Sequence, residues 1–420
     1  MPADLFTVEP HLAVLARSSG PWRGRNVPLA TPPGTRYPYV YPRDLAGSAR
    51  AFDGLHRRGI ESKRVFEALA AAAAFVAHAQ APDGSWTQRY RLDGTDAGIY
   101  RQEDNVAHGM IALGLYAQAA RRQGEAVEVD VLTHMERAYR HARAVNFRPG
   151  VNLFYSTTTI HESAIEEGYT IWNNFAHRRA FELYRRVLEE AGDPREGEVR
   201  TFLDMLDANL ARHFVVEGGL ARRVTPLGRH DRRPDITLLA PYYFDAQDVV
   251  GGALDTAAQR VERELWDPDL GLVSRYLPFT EDPTVHAHGG HGPWIQYSCI
   301  LAQYHARRGS RARGREILRL VAERAVNGEL PEHLTTRERF VDFWEREWQT
   351  GRDFEKEFAP TILRHDVPFG RVVEELVHMR DEYARLRARV DAGEEVLAFA
   401  APLAWSHAEF LEALLLLERR

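Results

Sequence analysis

The chain has little sulfur: one cysteine, Cys299, and five methionines in 420 residues. A lone thiol forms no internal disulfide and no cysteine-based metal centre. Positive charge is not in excess either. Lys and Arg number 54 against 60 Asp and Glu, a formal charge of −6, so no polybasic surface is expected to answer a phosphate backbone, and nucleic acid is not an expected partner. No apolar run approaches the roughly 20 residues that span a bilayer; the longest, Leu69 to Ala77, is short and alanine-rich. The start, Met1-Pro2-Ala3-Asp4-Leu5-Phe6, lacks the basic residues and apolar stretch of a secretion signal. A Gly-x-Ser-x-Gly elbow and a Walker-type glycine loop are both missing, which argues against a serine nucleophile and a nucleotide phosphate cradle. Cys299 falls in a helical pattern and reads as inert packing. With 44% apolar and 27% charged residues, the composition is that of a globular protein, expected in the cytoplasm.

What is there is helical periodicity. Leu45, Ala49, Phe52 and Leu55 form one stripe within Asp44 to Arg58; Val65, Leu69, Ala72, Phe75 and Val76 form the next, after a Ser62 cap. Similar patterns predict helices over 105–123, 129–145, 170–191, 196–214, 245–266, 293–308, 310–326, 370–390 and 405–419, about eleven in all. Most come in pairs. Strand-like runs are few, 87–92 and 272–277 being the best, and no Gly-, Pro- or Ser-rich linker divides the chain. Between helix pairs lie long polar-aromatic loops (82–101, 150–168, 220–244, 267–293 and 327–336), uncommon unless they do a job. Hairpins with functional loops on one rim suggest an (α/α)6 barrel. An open solenoid is the alternative, disfavoured because solenoid repeats are regular and these loops are not.

Four clusters carry chemistry. Glu166 and Glu167 stand together at the end of a loop, before a helix containing Trp172; adjacent carboxyls near apolar groups raise one another's pKa, as a general acid needs. The same pair also suits the first turn of a helix, where the dipole favours acids. Glu332 follows Pro331, which fixes the backbone so that the carboxyl is aimed either into a cavity or along a helix start. Arg43 and Asp44 follow the aromatic-proline run Tyr37 to Pro42, a combination of rings, guanidinium and carboxylate that suits sugar hydroxyls, although Asp44 also reads as an N-cap. Gln102, Glu103 and Asp104 crowd another helix start, where Asp104 can be merely the cap. His286, His288 and His291 resemble a metal set, but no carboxylate sits at ligand spacing and the loop is glycine-rich, so no metal is expected.

Taken together, these segments resemble glycoside hydrolase family 15, the glucoamylase and glucodextranase group, from about Tyr37 to Glu412. Tyr39-Val40-Tyr41-Pro42-Arg43-Asp44 is similar to the family's Tyr-Val-Trp-Pro-Arg-Asp; Asp83 to Tyr90 and Gln102-Glu103-Asp104-Asn105 resemble two further segments. Ala164-Ile165-Glu166-Glu167-Gly168 matches the acid motif loosely, and Arg275-Tyr276, Gly292-Pro293-Trp294, Leu330-Pro331-Glu332-His333 and Leu403 to Phe410 follow in family order. The resemblance implies Glu166 as general acid (or Glu167, the register being open by one) and Glu332 as general base. It implies sugar contacts from Tyr41, Arg43, Asp44, Trp86, Gln102, Asp104, Glu167, Arg275, Trp294 and Trp405, and it implies no cofactor. The expected activity is inverting, exo-acting release of β-glucose from isomaltose- or maltose-type oligosaccharides. A trehalase of the same fold and a catalytically silent sugar-binding protein are the alternatives. Departures from the family pattern are the short stretch before the first motif, with no N-terminal β-sandwich or terminal starch-binding module expected, and an enlarged insert over about 336–395. The insert is expected to narrow the pocket or make a subunit contact, and both departures favour short substrates.

Overall fold

The computed structural model describes residues 3–125, 127–161, 167–277, 292–341 and 367–418. The chain is mostly helical. In order come α1 (Val8–Arg17), α2 (Pro42–His56), α3 (Ser62–Ala79), α4 (Asn105–Gln123), α5 (Val131–His141), α6 (Ile171–Ala191) and α7 (Glu196–Phe214). Then follow α8 (Ala240–Tyr243, with a 3-10 lead-in at Ile236–Leu239), α9 (Ala253–Leu265), α10 (Ile295–Arg307), α11 (Arg311–Glu323), α12 (Phe369–Asp391) and α13 (Ala404–Glu418). Local chemistry fixes several ends. Pro42 opens α2, where its missing N–H costs nothing. Thr170 caps α6 by accepting from the Asn173 amide at 3.3 Å, and Gly192, at φ 64°, closes it.

The helices form two rings. α2, α4, α6, α8 with its lead-in, α10 and α13 touch in sequence, and α13 returns to α2. Outside them α3, α5, α7, α9 and α11 follow their inner partners, and α1 packs on α13 as the sixth outer helix. This is an (α/α)6 barrel, and the open solenoid is excluded by the closing contact. A continuous apolar core fills the space between the rings. The inner helices are buried almost all round; α13 buries every residue from Ala404 to Leu417, Ser406, His407, Glu409 and Glu412 included.

The sequence reading lacked α1, and it took 220–244, which holds α8 and its lead-in, as a loop. The short pattern of α1 carries Pro10 in the first turn, yet Leu12 and Leu15 are buried and His11 stacks on Phe410. The predicted helix over 245–266 is divided: a single turn at Gln247–Val250 stops at Gly251 and Gly252, and the long helix begins at Ala253. Neither 87–92 nor 272–277 is a strand; each contributes isolated bridges, such as Tyr90 with Val40 and Val273 with Trp266. Short hairpins do occur at the rim, including β1 (His333–Thr336) antiparallel to β2 (Val396–Phe399).

Candidate active site

The N-terminal ends of the inner helices surround a cavity of about 100 Å³. A water needs roughly 10–15 Å³ on this measure, so the space suits one small ring with little left over. The wall is built from the aromatic-proline loop, the first turns of α2, α10 and α13, and the turn before β1. Of the residues singled out in the sequence, Tyr41, Arg43, Asp44, Arg275, Trp294, Glu332 and Trp405 line it together. They come from positions separated by more than 350 residues of chain.

Glu332 is held by backbone on both sides. Its N–H donates to the Phe399 carbonyl at 3.0 Å and its carbonyl accepts from the Ile295 amide at 3.0 Å. These bonds tie it to the hairpin of β1 and β2 and to the start of α10. Its side chain is 16% exposed, so the carboxyl reaches the cavity without being sealed from it. The next residue, His333, is sandwiched between Trp294 (4.6 Å) and Phe399 (4.1 Å), which fixes the turn. Tyr37 lies beside this site: burial first, then the Glu332 charge, pushes its hydroxyl well above the usual range. The phenol stays protonated and offers a donor into the cavity.

Arg275 is oriented by a buried chain. Its Nε donates to His161 Nδ1 at 2.7 Å, and His161 Nε2 meets Asp235 at 2.7 Å. Because Nδ1 accepts from the guanidinium, Nε2 carries the proton that Asp235 accepts. Asp235 also takes Arg222 Nη1 at 3.0 Å and the Thr237 amide at 2.8 Å. Burial opposes its charge, but His161 and Arg222 hold the carboxyl far below the usual carboxylate range. The Arg275 guanidinium then lies 4.6 Å over the Trp294 ring.

Trp405 is positioned from behind. Its indole N–H donates to Glu409 Oε1 at 2.7 Å, and Tyr243 donates to the same oxygen at 2.7 Å. A Cβ at Gly47 would sit 2.6 Å from the Trp405 ring, so α2 approaches closely only because that position is glycine.

The insert supplies a further wall. α12 places Glu375 and Met379 in the cavity lining. Glu375 accepts from Arg89 at 2.7 Å and from Arg36, which also meets Glu382 at 3.2 Å. Burial works against the Glu375 charge, but Arg36 and Arg89 overcome it and hold the group down to about 2. Arg371 with Asp96 (2.7 Å), and Tyr39 with Glu374 (2.7 Å), tie the same helix to the opposite loop. α12 thus contributes to the cavity wall; most of 336–366 lies outside the described residues.

Other expected residues stand elsewhere. Trp86 is in the core, donating to the Val76 carbonyl at 2.8 Å and packed on Gly109, whose Cβ would lie 2.6 Å away. Gln102 spans two loops by donating to the Thr159 carbonyl at 2.9 Å. Asp104 is fully buried behind the wall, 4.0 Å from Arg43 and 3.5 Å from His108. Burial would raise it, yet those neighbours keep it below the usual range; it stands behind Arg43 and outside the cavity lining. Glu167 is half-buried outside the cavity lining and accepts from the Tyr155 hydroxyl. Glu166, the expected acid, lies outside the described residues, as do His286, His288 and His291. Among the described residues no cluster of His, Cys, Asp or Glu could hold a metal ion, and no helix is long and apolar enough to cross a membrane. Cys299 is buried in α10, its thiol pushed far up by burial.

The sequence reading had Tyr37 only as the start of the aromatic-proline run, and it gave no role to Arg36, Arg89, Glu375 or the chain of Asp235 and His161. One signal was available: Glu375 and Glu382 share a helical stripe with Val372, Met379, Leu386 and Val390, and acids on an otherwise apolar face mark buried partners. The contact of His161 with Arg275 has no such signal.

No protein-family model and no curated protein matches the sequence. Solved structures do match. A glycosidase is similar over 98% of this chain and 95% of its own, with a TM-score of 0.63 at 18% identity. A glycosidase variant with a glutamate replaced by alanine, in complex with glucose, gives 0.62 at 16%, over 99% and 96%. Glucoamylase from Saccharomycopsis fibuligera gives 0.60 at 13%, over 99% and 94%. At such identities the likeness establishes the shared fold.

Proposed function

We propose that the chain is an inverting, exo-acting glycoside hydrolase that releases β-glucose from the non-reducing end of short α-gluco-oligosaccharides of the isomaltose or maltose type. One observation carries the reading: a carboxyl, Glu332, stands at the wall of a one-ring cavity together with Arg43, Asp44, Arg275 and three aromatic side chains, Tyr41, Trp294 and Trp405. The similar glycosidase and glucoamylase structures support it by fold.

In this mechanism a glucose ring enters until its far hydroxyls meet Arg43 and Asp44, with its apolar face on the aromatic wall. Glu166 protonates the bridging oxygen. Glu332 takes a proton from a water on the opposite face of the anomeric carbon, and that water's oxygen forms the new bond as the old one breaks. Inversion requires the two carboxyls to stand roughly 6.5–9.5 Å apart, leaving room for the water. Tyr37, protonated next to Glu332, is placed to hold that water or the base. α12 leaves little volume beyond one ring, which favours disaccharides over long chains.

Glucose release from isomaltose, maltose, kojibiose and trehalose tests the reading and ranks the linkages. Release from trehalose alone would convert it to a trehalase. Tight glucose binding with no turnover of any of the four would mark a sugar-binding protein.

A further inference from the structure

The inner helices have a second set of ends. Running from Arg43 to Arg57, α2 covers about 20 Å at 1.5 Å per residue, and its last turns, with those of α10 and α13, reach another cavity of about 490 Å³. This one is lined by Arg50, Arg57, Arg179, Arg307 and Arg311. The facing carboxylates are Asp53, Asp245 and Glu412.

These acids are oversubscribed. Asp245 serves both Arg179 (3.1 Å) and Arg307 (3.4 Å), and Asp53 serves both Arg57 (3.1 Å) and Arg122. Arg50 turns to Glu409 at 3.4 Å and lies 3.8 Å over the Tyr243 ring. Arg311, the first residue of α11, makes no ion pair with a described carboxylate. Glu412 is 8% exposed, and its Oε1 has no hydrogen-bond partner among the described residues; burial raises its carboxyl to about 7. That oxygen lies against Gly54 of α2, and a buried polar atom without a partner is unusual.

Part of this arrangement has a simpler cause, since cations at helix C-termini offset the macrodipole. That accounts for Arg57 and Arg307, which end α2 and α10. It does not account for Arg311, which begins a helix, nor for Glu412, a buried carboxyl in the cavity lining with an oxygen that has no hydrogen-bond partner among the described residues.

We propose that this end of the barrel binds a small phosphate-bearing anion, with the guanidiniums of Arg50, Arg307 and Arg311 taking the phosphate oxygens and Glu412 taking a hydroxyl of the ligand. Guanidiniums form forked, charge-assisted bonds to phosphate, and the volume is enough for a phosphorylated monosaccharide as well as for free phosphate. The site is separate from the sugar cavity and does not depend on the activity proposed for it.

Isothermal titration of the whole chain with glucose 6-phosphate, inorganic phosphate and glucose, at ionic strength matched with sodium chloride, tests this. Saturable binding of a phosphate species is expected with a Kd of about 1 mM or tighter, weakened about tenfold in Arg311→Ala and in Arg307→Ala. Arg311 has no ion pair to lose, so its variant is expected to keep the wild-type melting temperature. Equal binding of the two phosphate species identifies the phosphate group as the whole ligand, and tighter binding of the ester shows that the hydroxyls are read. Absence of saturable binding by either species, or binding unchanged in both variants, overturns the proposal.

Discussion

The two ends of the inner helices differ in nearly every respect except the helices that build them. At the N-terminal end the cavity is narrow and aromatic, and several of its buried charges stand in close ion pairs: Glu375 with two arginines, Asp235 with His161 and Arg222. At the C-terminal end the space is about five times larger on the same measure, with guanidiniums in excess and one carboxyl left open. The contrast teaches what each end is organised to do. Close ion pairs among buried charges fix side chains to within the tolerance that bond breaking needs. Leaving cations in excess prepares a surface for a charge that arrives from solution.

The most severe way to break this contrast is at Glu332. Glu332→Gln keeps the shape of the wall and removes the base, so kcat is expected to fall about 10²- to 10⁴-fold with KM little changed. Steady-state kinetics on the preferred disaccharide read this directly. An unchanged kcat would remove Glu332 from the chemistry.

Next comes Asp235→Asn. It removes one of the two carboxylates that hold Arg222, Asp231 remaining at 2.9 Å, and loosens His161, at an expected cost of about 1–3 kcal/mol in denaturant unfolding. Glucose binding is expected to weaken with it, because Arg275 loses its orientation.

The two ends also predict opposite pH slopes. Glu375 sits at about 2 in the folded chain against an ordinary 4.5, so its contribution, on the order of 3 kcal/mol, is whole above pH 4.5 and is lost as pH falls toward 2. Glu412 is raised from 4.5 to about 7, so its effect is the reverse: stability declines as pH rises from 4.5 to 7. Melting temperatures from pH 3 to 8 are expected to flatten on the acid side in Glu375→Gln and on the neutral side in Glu412→Gln. Parallel curves for wild type and both variants would contradict the charge assignment at each end.

The smallest expected effect is that of Gly47→Ala. The added carbon meets Trp405, costing about 1–3 kcal/mol by overpacking and raising KM as the ring moves into the cavity. A normal KM in a destabilised variant would show that the ring accommodates by moving elsewhere.

How much of this was legible beforehand follows physical lines. The barrel was legible because its inner and outer helices carry long stripes such as Val65, Leu69, Ala72 and Phe75, and such stripes need no partner to be read. α1 escaped because ten residues with Pro10 make a weak pattern; its helix exists through packing on Phe410 and His407. Seven of the residues singled out for the site do converge on one cavity, since aromatic and charged residues beside prolines are hard to place anywhere else. Trp86 carried the same signal and went to the core, because a tryptophan whose N–H finds a carbonyl packs as well as any apolar ring. The partners that hold Arg275 and Arg36 come from more than 100 residues away, and nothing in local spacing points to them.

Proton NMR of the first sugar released from isomaltose or maltose tests the account most directly, because it reads the anomer before it equilibrates. The account predicts β-glucose as the initial product, formed by wild type and lost in Glu332→Gln. Initial α-glucose would mean a retaining mechanism and contradict it, and so would β-glucose released at an equal rate by the variant.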